Sequence, residues 1–513
     1  MVSPVQFWKL LPGQTRWFLL ACCSFSLLMH VLAAVFSIGF YLYDEHYQIL
    51  EFAWMKSGHS TVNNMAWEYT SMCRPSLQPW IAIAVFKMMG MTDPFKMVFV
   101  LRLFSSLLGF ASLVPFCLLG MQWLKNYLSR KIFPFLLAII PIISFTHARF
   151  SSEGFGGTFI MLGIVFLLIS QAKDIAGMAG KVYFYLFLSG FCFAISFVSR
   201  VQMGLAFPGI LFWAVVIEKI KFRKLLVIGL AALMVLAVCA ILDRLYYGMW
   251  VNALWLYVKI NLLEGKANSF GSSPFLFFFS DTIFRSGYIW GVLFVTAILI
   301  GWFSRPMNIF TLAFAPYFIS HCLIAHKELR FMFPMVGALP LFIGFALEYL
   351  KIYHLNPKQI IPKIAVLILA VIFPFSILLW TWDTCLSPAR VEFYAYKYLD
   401  RYRNEKMSLI SMYNFEWPYG PVERLNMDVY KARSLVKKYH MPDASQLKQI
   451  VDSSKNPVFL YAPSKDAKTP DVVLRSGVRY RLEYASLPAW FMPIMRWHWI
   501  YYQPCIMVYR LSK

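Results

Sequence analysis

Apolar runs of about 17 to 24 residues recur near 17–40, 97–121, 132–149, 154–171, 182–199, 203–219, 225–245, 286–302, 307–324, 331–350 and 362–382, each long enough to cross a ~30 Å hydrocarbon core as a helix. Lipid offers the backbone no hydrogen bonds, so a chain with this pattern is held to helices wherever it spans. The pattern predicts an all-α polytopic membrane protein with about eleven transmembrane helices. Composition agrees: 59% of the 513 residues are hydrophobic and 14% charged. The first run is long, has no small-residue cleavage site and is followed by further runs, so it reads as a retained anchor.

The formal charge of +23 raises the question of nucleic acid, but the basic residues are scattered through short loops and the C-terminal third, with no stripe or binding module. Nucleic acid is therefore excluded as a partner. The loops carrying Lys9 and Arg16, Lys125, Arg130 and Lys131, Lys173 and Lys181, Lys219 to Lys224, Arg305, and Lys351 and Lys358 all fall on one side if eleven spans are counted. The positive-inside rule makes that side the cytosol. The outward side, lumenal or periplasmic, then receives the loop at 41–96, the turn at 147–153, the link near Arg200, the segment 247–285, the tripeptide 326–328 and the tail. Residues 1–383 read as a membrane domain, and 384–513 as a small outward α/β domain. Its β-like stretches are "NPVFLYAP", "VRYRLEYA" and "CIMVYRLS", beside a basic helical pattern around "VYKARSLVKKYH". Cys385 and Cys505 flank this tail and could pair in an oxidising compartment. No Cys/His metal spacing is present, and the absence of an N-x-[ST] sequon leans towards a bacterial source.

Polar residues gather at span ends on the outward side, whereas a transporter more often carries its charges at mid-membrane. Asp44 and Glu45 follow the first span; the pair suits either a partly dehydrated base or a solvated helix start. "IAHKELRFMFP" puts His326, Lys327 and Arg330 in one interfacial turn, suited to a phosphate at headgroup level or to lipid anchoring by snorkelling. The segment from Asp243 through Tyr247, Trp250 and Asn261 suits sugar recognition or an interfacial aromatic belt. "THARFSSEG" offers Arg149 and Glu153 as an ion pair at a span end.

In order and spacing these stretches resemble the family 22 glycosyltransferases of the GT-C class, polyprenyl-phosphate-mannose-dependent mannosyltransferases that include the PIG-B enzyme of GPI-anchor assembly. "DEHYQILEFAW" and "AWEYTSMCRPSLQP" are similar to the family's first-loop pattern, through Asp44, Glu45, Gln48, Glu51, Trp67, Glu68 and Arg74. "HKELRF" resembles its His-Lys-Glu-x-Arg-Phe hallmark, and "DRLYYGMW" its Asp-x-x-x-Tyr-Gly-x-Trp stretch. The chain departs from the pattern at Arg74-Pro75-Ser76, where the family has Arg-Ser, and at Tyr43, where Pro is frequent.

The resemblance implies a GT-C fold and an inverting displacement, in which an acceptor hydroxyl attacks C1 of mannose as the lipid phosphate leaves. Such chemistry needs a base and fixed cations. Asp44, with Glu45 second, is the expected base. His326, Lys327, Arg330 and Arg200 are the expected phosphate ligands, Glu328 orients the turn, and Gln48, Glu51, Trp67, Glu68, Arg74, Glu153, Asp243, Tyr247, Trp250 and Asn261 bind acceptor or sugar or are structural. The implied partners are polyprenyl- or dolichyl-phosphate-mannose, a glycolipid or lipid-linked glycan acceptor, and the membrane. The scheme calls for no cofactor or metal. The membrane would be the endoplasmic reticulum in a eukaryote or the inner membrane in a bacterium. A transporter or flippase of a lipid-linked anion is the competing class.

Overall fold

The computed structural model describes residues 1–41, 43–91, 93–286, 288–351, 376, 392–402, 405–412, 429, 436–464, 468–486 and 505–513. Contacts divide the chain into one unit of Met1–Ser37, Ser71–Val85 and Phe99–Leu386, and a second of Ile38–Thr70, Phe86–Val98 and Ser387–Lys513.

The first unit is a helical bundle. Among the described residues six helices are long and apolar enough to cross a membrane: Gly13–Phe36, Pro94–Gly120, Ser152–Ser170, Ala179–Ser199, Phe222–Tyr247 and the composite Leu329–Tyr349. A seventh is bent: Tyr127–Ile139 and Pro141–Ala148 meet at 45°. Pro141 has no N–H to donate and disfavours a helical Ile140, whose ψ of 111° is extended, so the run expected at 132–149 breaks there. Ile289–Ser304 and Ile309–Leu323 have 16 and 15 residues, short for a straight crossing. The run expected at 203–219 divides into a 3₁₀ turn, Val201–Ala206, a helix, Phe207–Phe212, and a π-helical turn, Trp213–Ile217. The run at 362–382 lies, Ser376 apart, outside the described residues, as does Cys385.

Small residues bring the central helices together. Ser189 and Ser196 of Ala179–Ser199 donate their hydroxyls to the carbonyls of Gly163 and Gly156, at 2.8 and 2.7 Å. A Cβ on Gly163 would stand 2.5 Å from the Phe193 ring, and one on Gly190 would run into the Ile228 carbonyl. Close backbone approach of this kind replaces the hydrophobic drive that lipid cannot supply. Phe222–Tyr247, in contrast, leaves Leu226, Leu230, Leu233, Met234, Val238 and Ile241 exposed, as expected of a helix whose solvent is lipid.

Both sets of loops sorted by charge find one another. On the side expected to be cytosolic, Ser3 bonds Asp174 at 2.7 Å, Gln122 takes the Val2 amide at 2.9 Å, and Glu348 accepts from the Asn126 amide at 2.8 Å while pairing with Arg305 at 3.4 Å. At the other end Ser76 reaches Asp243, Gln78 the Ser151 carbonyl, and Lys327 the Ser273 carbonyl.

The second unit holds a five-stranded sheet of β1 (Met407–Ser411), β2 (Val436–His440), β3 (Val458–Ser464), β4 (Arg479–Ala485) and β5 (Cys505–Ser512), in the order β2-β1-β3-β5-β4. β1 runs parallel to β2 and β3; β5 runs antiparallel to β3 and β4. β3 is covered on both faces: Val458, Leu460 and Ala462 join one core, Phe459 and Tyr461 the other. The three β-like stretches become β3, β4 and β5. The helical pattern read around "VYKARSLVKKYH" is overturned for Val436–His440, which pairs with β1 as an edge strand.

Candidate active site

One end of the first unit carries an unbroken chain of alternating charge. Leu323 ends its helix, Ile324 and Glu328 are extended, and the 3₁₀ turn Leu329–Ala338 follows, so residues 324–330 form a tight bend. Within it His326 Nε2 lies 2.8 Å from Glu328 Oε1, and Arg330 donates to Glu328 through Nε at 2.7 Å and Nη2 at 3.2 Å. Arg330 Nη1 then lies 3.2 Å from Glu153 Oε1, which also stands 3.2 Å from Arg200 Nη2. Burial alone would raise the Glu328 carboxyl; Arg330 and His326 outweigh it and hold that group well below the ordinary carboxylate range.

Lys327 is arranged differently. Its ammonium donates to the carbonyls of Ser273, at 2.8 Å, and Ile324, at 2.5 Å, neither of which cancels its charge. Arg200 lies 5.1 Å over the Phe331 ring, and Tyr317 fixes that residue's backbone by donating to the Phe331 carbonyl at 2.6 Å. The pair expected between Arg149 and Glu153 does not form. Arg149 is fully buried and bonds the Ser37 carbonyl and hydroxyl, while Glu153 turns to Arg200 and Arg330.

Asp243 and Tyr247, one turn apart on Phe222–Tyr247, dock the 74–76 segment. Asp243 Oδ1 accepts from the Ser76 amide at 2.7 Å and hydroxyl at 2.6 Å, and Tyr247 donates to the Arg74 carbonyl at 2.6 Å. The Asp-x-x-x-Tyr spacing thus has a physical meaning: residues four apart share a helix face. Arg74 lies 4.9 Å over the Tyr257 ring, whose hydroxyl accepts from Gln202 at 2.7 Å. Asn261 bonds the Tyr257 carbonyl at 3.1 Å within its own helical segment, and Trp250 is exposed.

In the second unit the first-loop motif folds through a π-helical turn, His46–Leu50, between the single turn Tyr43–Glu45 and the helix Glu51–Lys56. A π turn stacks residues five apart, which an α-helix would splay. It brings His46 Nε2 to 2.7 Å from Glu51 Oε1, both side chains about 1% exposed. Gln48 donates to Glu68 at 2.8 Å; Trp67 opens the short helix Trp67–Thr70. Glu45 is buried and accepts from the Tyr41 amide at 3.2 Å, whereas Asp44 is half-buried.

A family model for the Alg9-like mannosyltransferases matches residues 17–413. The chain belongs to that family. Mannosyltransferase APTG1 of Arabidopsis thaliana is 24% identical over 68% of this chain and 62% of its own length. GPI mannosyltransferase 3 of Yarrowia lipolytica is 26% identical over 58% and 57%, and the human GPI alpha-1,2-mannosyltransferase 3 is 22% identical over 60% and 54%. The chain therefore spans less than two thirds of each of these relatives. A solved structure with a similar course is ArnT from Cupriavidus metallidurans bound to undecaprenyl phosphate, at 11% identity and a TM-score of 0.49 over 97% of this chain and 98% of that one.

Among the described residues of this Alg9-like chain, no group of three or more His, Cys, Asp and Glu side chains stands close enough to hold a metal ion. Sequence reading passed over Ser76, Gln202, Tyr257, Tyr317 and His321. Ser76 lies inside a quoted motif, and its hydroxyl beside Pro75 was the available signal. His321 is 2% exposed, bonds the Tyr317 carbonyl through Nδ1 at 2.8 Å and packs 5.7 Å from Phe331; on an apolar helix it carries no mark that separates it from a core histidine.

Proposed function

We propose that this chain is an inverting mannosyltransferase that moves mannose from a polyprenyl-phosphate-mannose to a hydroxyl of a glycolipid or lipid-linked glycan on the outward membrane face. The observation that carries this is the Lys327 turn: a fixed cation held by two backbone carbonyls, next to guanidiniums already locked in ion pairs, inside a chain of the Alg9-like family. A cation so held keeps its charge for an incoming anion, and the charge that grows on a departing phosphate is what it would stabilise.

Asp44 takes the acceptor proton. Asp44 opens the first-loop motif and is half-buried, where a carboxylate is only partly solvated. Arg330 and Glu328 serve the shape of the turn, while Lys327, His326 and Arg200 meet the phosphate. The relatives' names make a GPI-like glycolipid the first acceptor to try. Purified protein in detergent, given radiolabelled dolichyl-phosphate-mannose and a glycolipid acceptor, is expected to form a labelled product. Label that only crosses the bilayer of reconstituted vesicles, with no new glycosidic bond, would instead favour a flippase.

A further inference from the structure

Glu153 stands in the first turn of Ser152–Ser170, 1% exposed, behind the Ser151 cap. From a single oxygen, Oε1, it forms ion pairs with both Arg200 Nη2 and Arg330 Nη1 at 3.2 Å, neither of them in hydrogen-bond geometry. Arg330 is held a second time by Glu328, but Arg200 is not. Arg200 is 3% exposed, and its other terminal nitrogen, Nη1, is buried with no hydrogen-bond partner among the described residues. A buried N–H left open is costly and calls for an explanation. With Lys327, three fixed cations face the two carboxylates Glu153 and Glu328, which leaves one positive charge before any proton on His326.

We infer that Glu153 is a positioning residue for the lipid-phosphate donor: it fixes Arg200 against Arg330 so that Arg200 Nη1 stays outside the ion-pair chain and meets a phosphate oxygen. Phe331 beneath the guanidinium and Tyr317 beneath Phe331 complete the support. This rests on the reading of the chain as a transferase that uses a lipid-phosphate sugar. Glu153 itself touches no reacting atom; its effect passes through Arg200.

Positioning and mere charge balance predict opposite outcomes. If Glu153 only neutralised its neighbours, E153Q would free a positive charge and bind the phosphate more tightly, and E153D, which keeps the charge, would behave as wild type. If it positions Arg200, both variants lose affinity, because a charge-assisted contact in fixed geometry is lost. The test measures equilibrium binding of dolichyl phosphate to the full-length protein in detergent, together with KM and kcat for mannose transfer, at matched melting temperature. We expect E153D and E153Q to bind about tenfold or more weakly, with the donor KM raised and the acceptor KM unchanged. Wild-type or tighter binding by folded E153D or E153Q overturns the inference. Should neither Glu153 variant fold, R200K takes their place: it keeps the charge and loses the planar fork. A tenfold loss there supports the inference, and wild-type affinity overturns it. A wild type that neither binds dolichyl phosphate nor transfers mannose would overturn the functional reading as well; one that does both, beside unaffected variants, would overturn this inference alone.

Discussion

Replacing Glu328 by Gln tests how the 324–330 bend keeps its shape. The carboxylate takes three contacts, from Arg330 Nε at 2.7 Å, Arg330 Nη2 at 3.2 Å and His326 Nε2 at 2.8 Å. A glutamine keeps one acceptor oxygen and presents an NH₂ in place of the other; Oε1 takes two of the contacts and Oε2 one, so one or two of the three are lost. At roughly 1.5 to 3 kcal/mol for a hydrogen bond to a charged group the upper range is ~6 kcal/mol. Glu328 is 24% exposed and Arg330 keeps Glu153, so solvent and the second partner reduce this to about 2 to 3 kcal/mol. The expected readout is a fall of several degrees in the apparent melting temperature in detergent, with a raised donor KM. The pH dependence follows from the same contacts. The folded carboxyl is held below its ordinary value, so its stabilisation is complete above about pH 5 and is lost only as pH falls through the folded value. Wild type and E328Q should therefore differ in melting temperature at pH 7 and converge only in stronger acid. Equal melting temperatures at pH 7, or a difference that vanishes between pH 5 and 6, would refute the reasoning.

Two other substitutions probe the scaffold. Glu51→Gln weakens the buried contact to His46 and should cost about 1 to 3 kcal/mol, read as a lowered melting temperature with the secondary structure intact; an unchanged melting temperature would mean that the pair carries no net stability. Gly190→Val forces a branched side chain onto the Ile228 carbonyl and should abolish monodisperse protein in size-exclusion chromatography, whereas Gly177→Ala, at a site with open space, should not.

What could be read from the sequence follows the range of the interactions involved. The span pattern and the sorting of loops by Lys and Arg are local properties, and the Ser3–Asp174 and Asn126–Glu348 contacts on one side match that sorting. Arg149 and Glu153 mark where locality fails. Their spacing is that of a helical pair, but Arg149 precedes the Ser151 cap in extended backbone, so the four-residue rule has no helix to act on. The true partners, Arg200 and Arg330, are distant in the chain. The His46–Glu51 pair was hidden for another reason, since five-residue spacing meets only in a π turn. β2 was misread because its partner β1, Met407–Ser411, lies outside the window that a local pattern covers, and pairing with it outweighs the helical pattern of the sequence. The identity of the motifs was legible before any of this geometry; how each motif is held was not.

The most direct test of the central claim is the single-turnover rate of mannose transfer from dolichyl-phosphate-mannose by Asp44→Asn, measured beside dolichyl phosphate binding on the same preparation. A general base in the reaction contributes typically 10² to 10⁴-fold, so transfer should fall by about that factor while binding of dolichyl phosphate stays at the wild-type level. Full transfer by D44N, and by Glu45→Gln as well, would contradict the account.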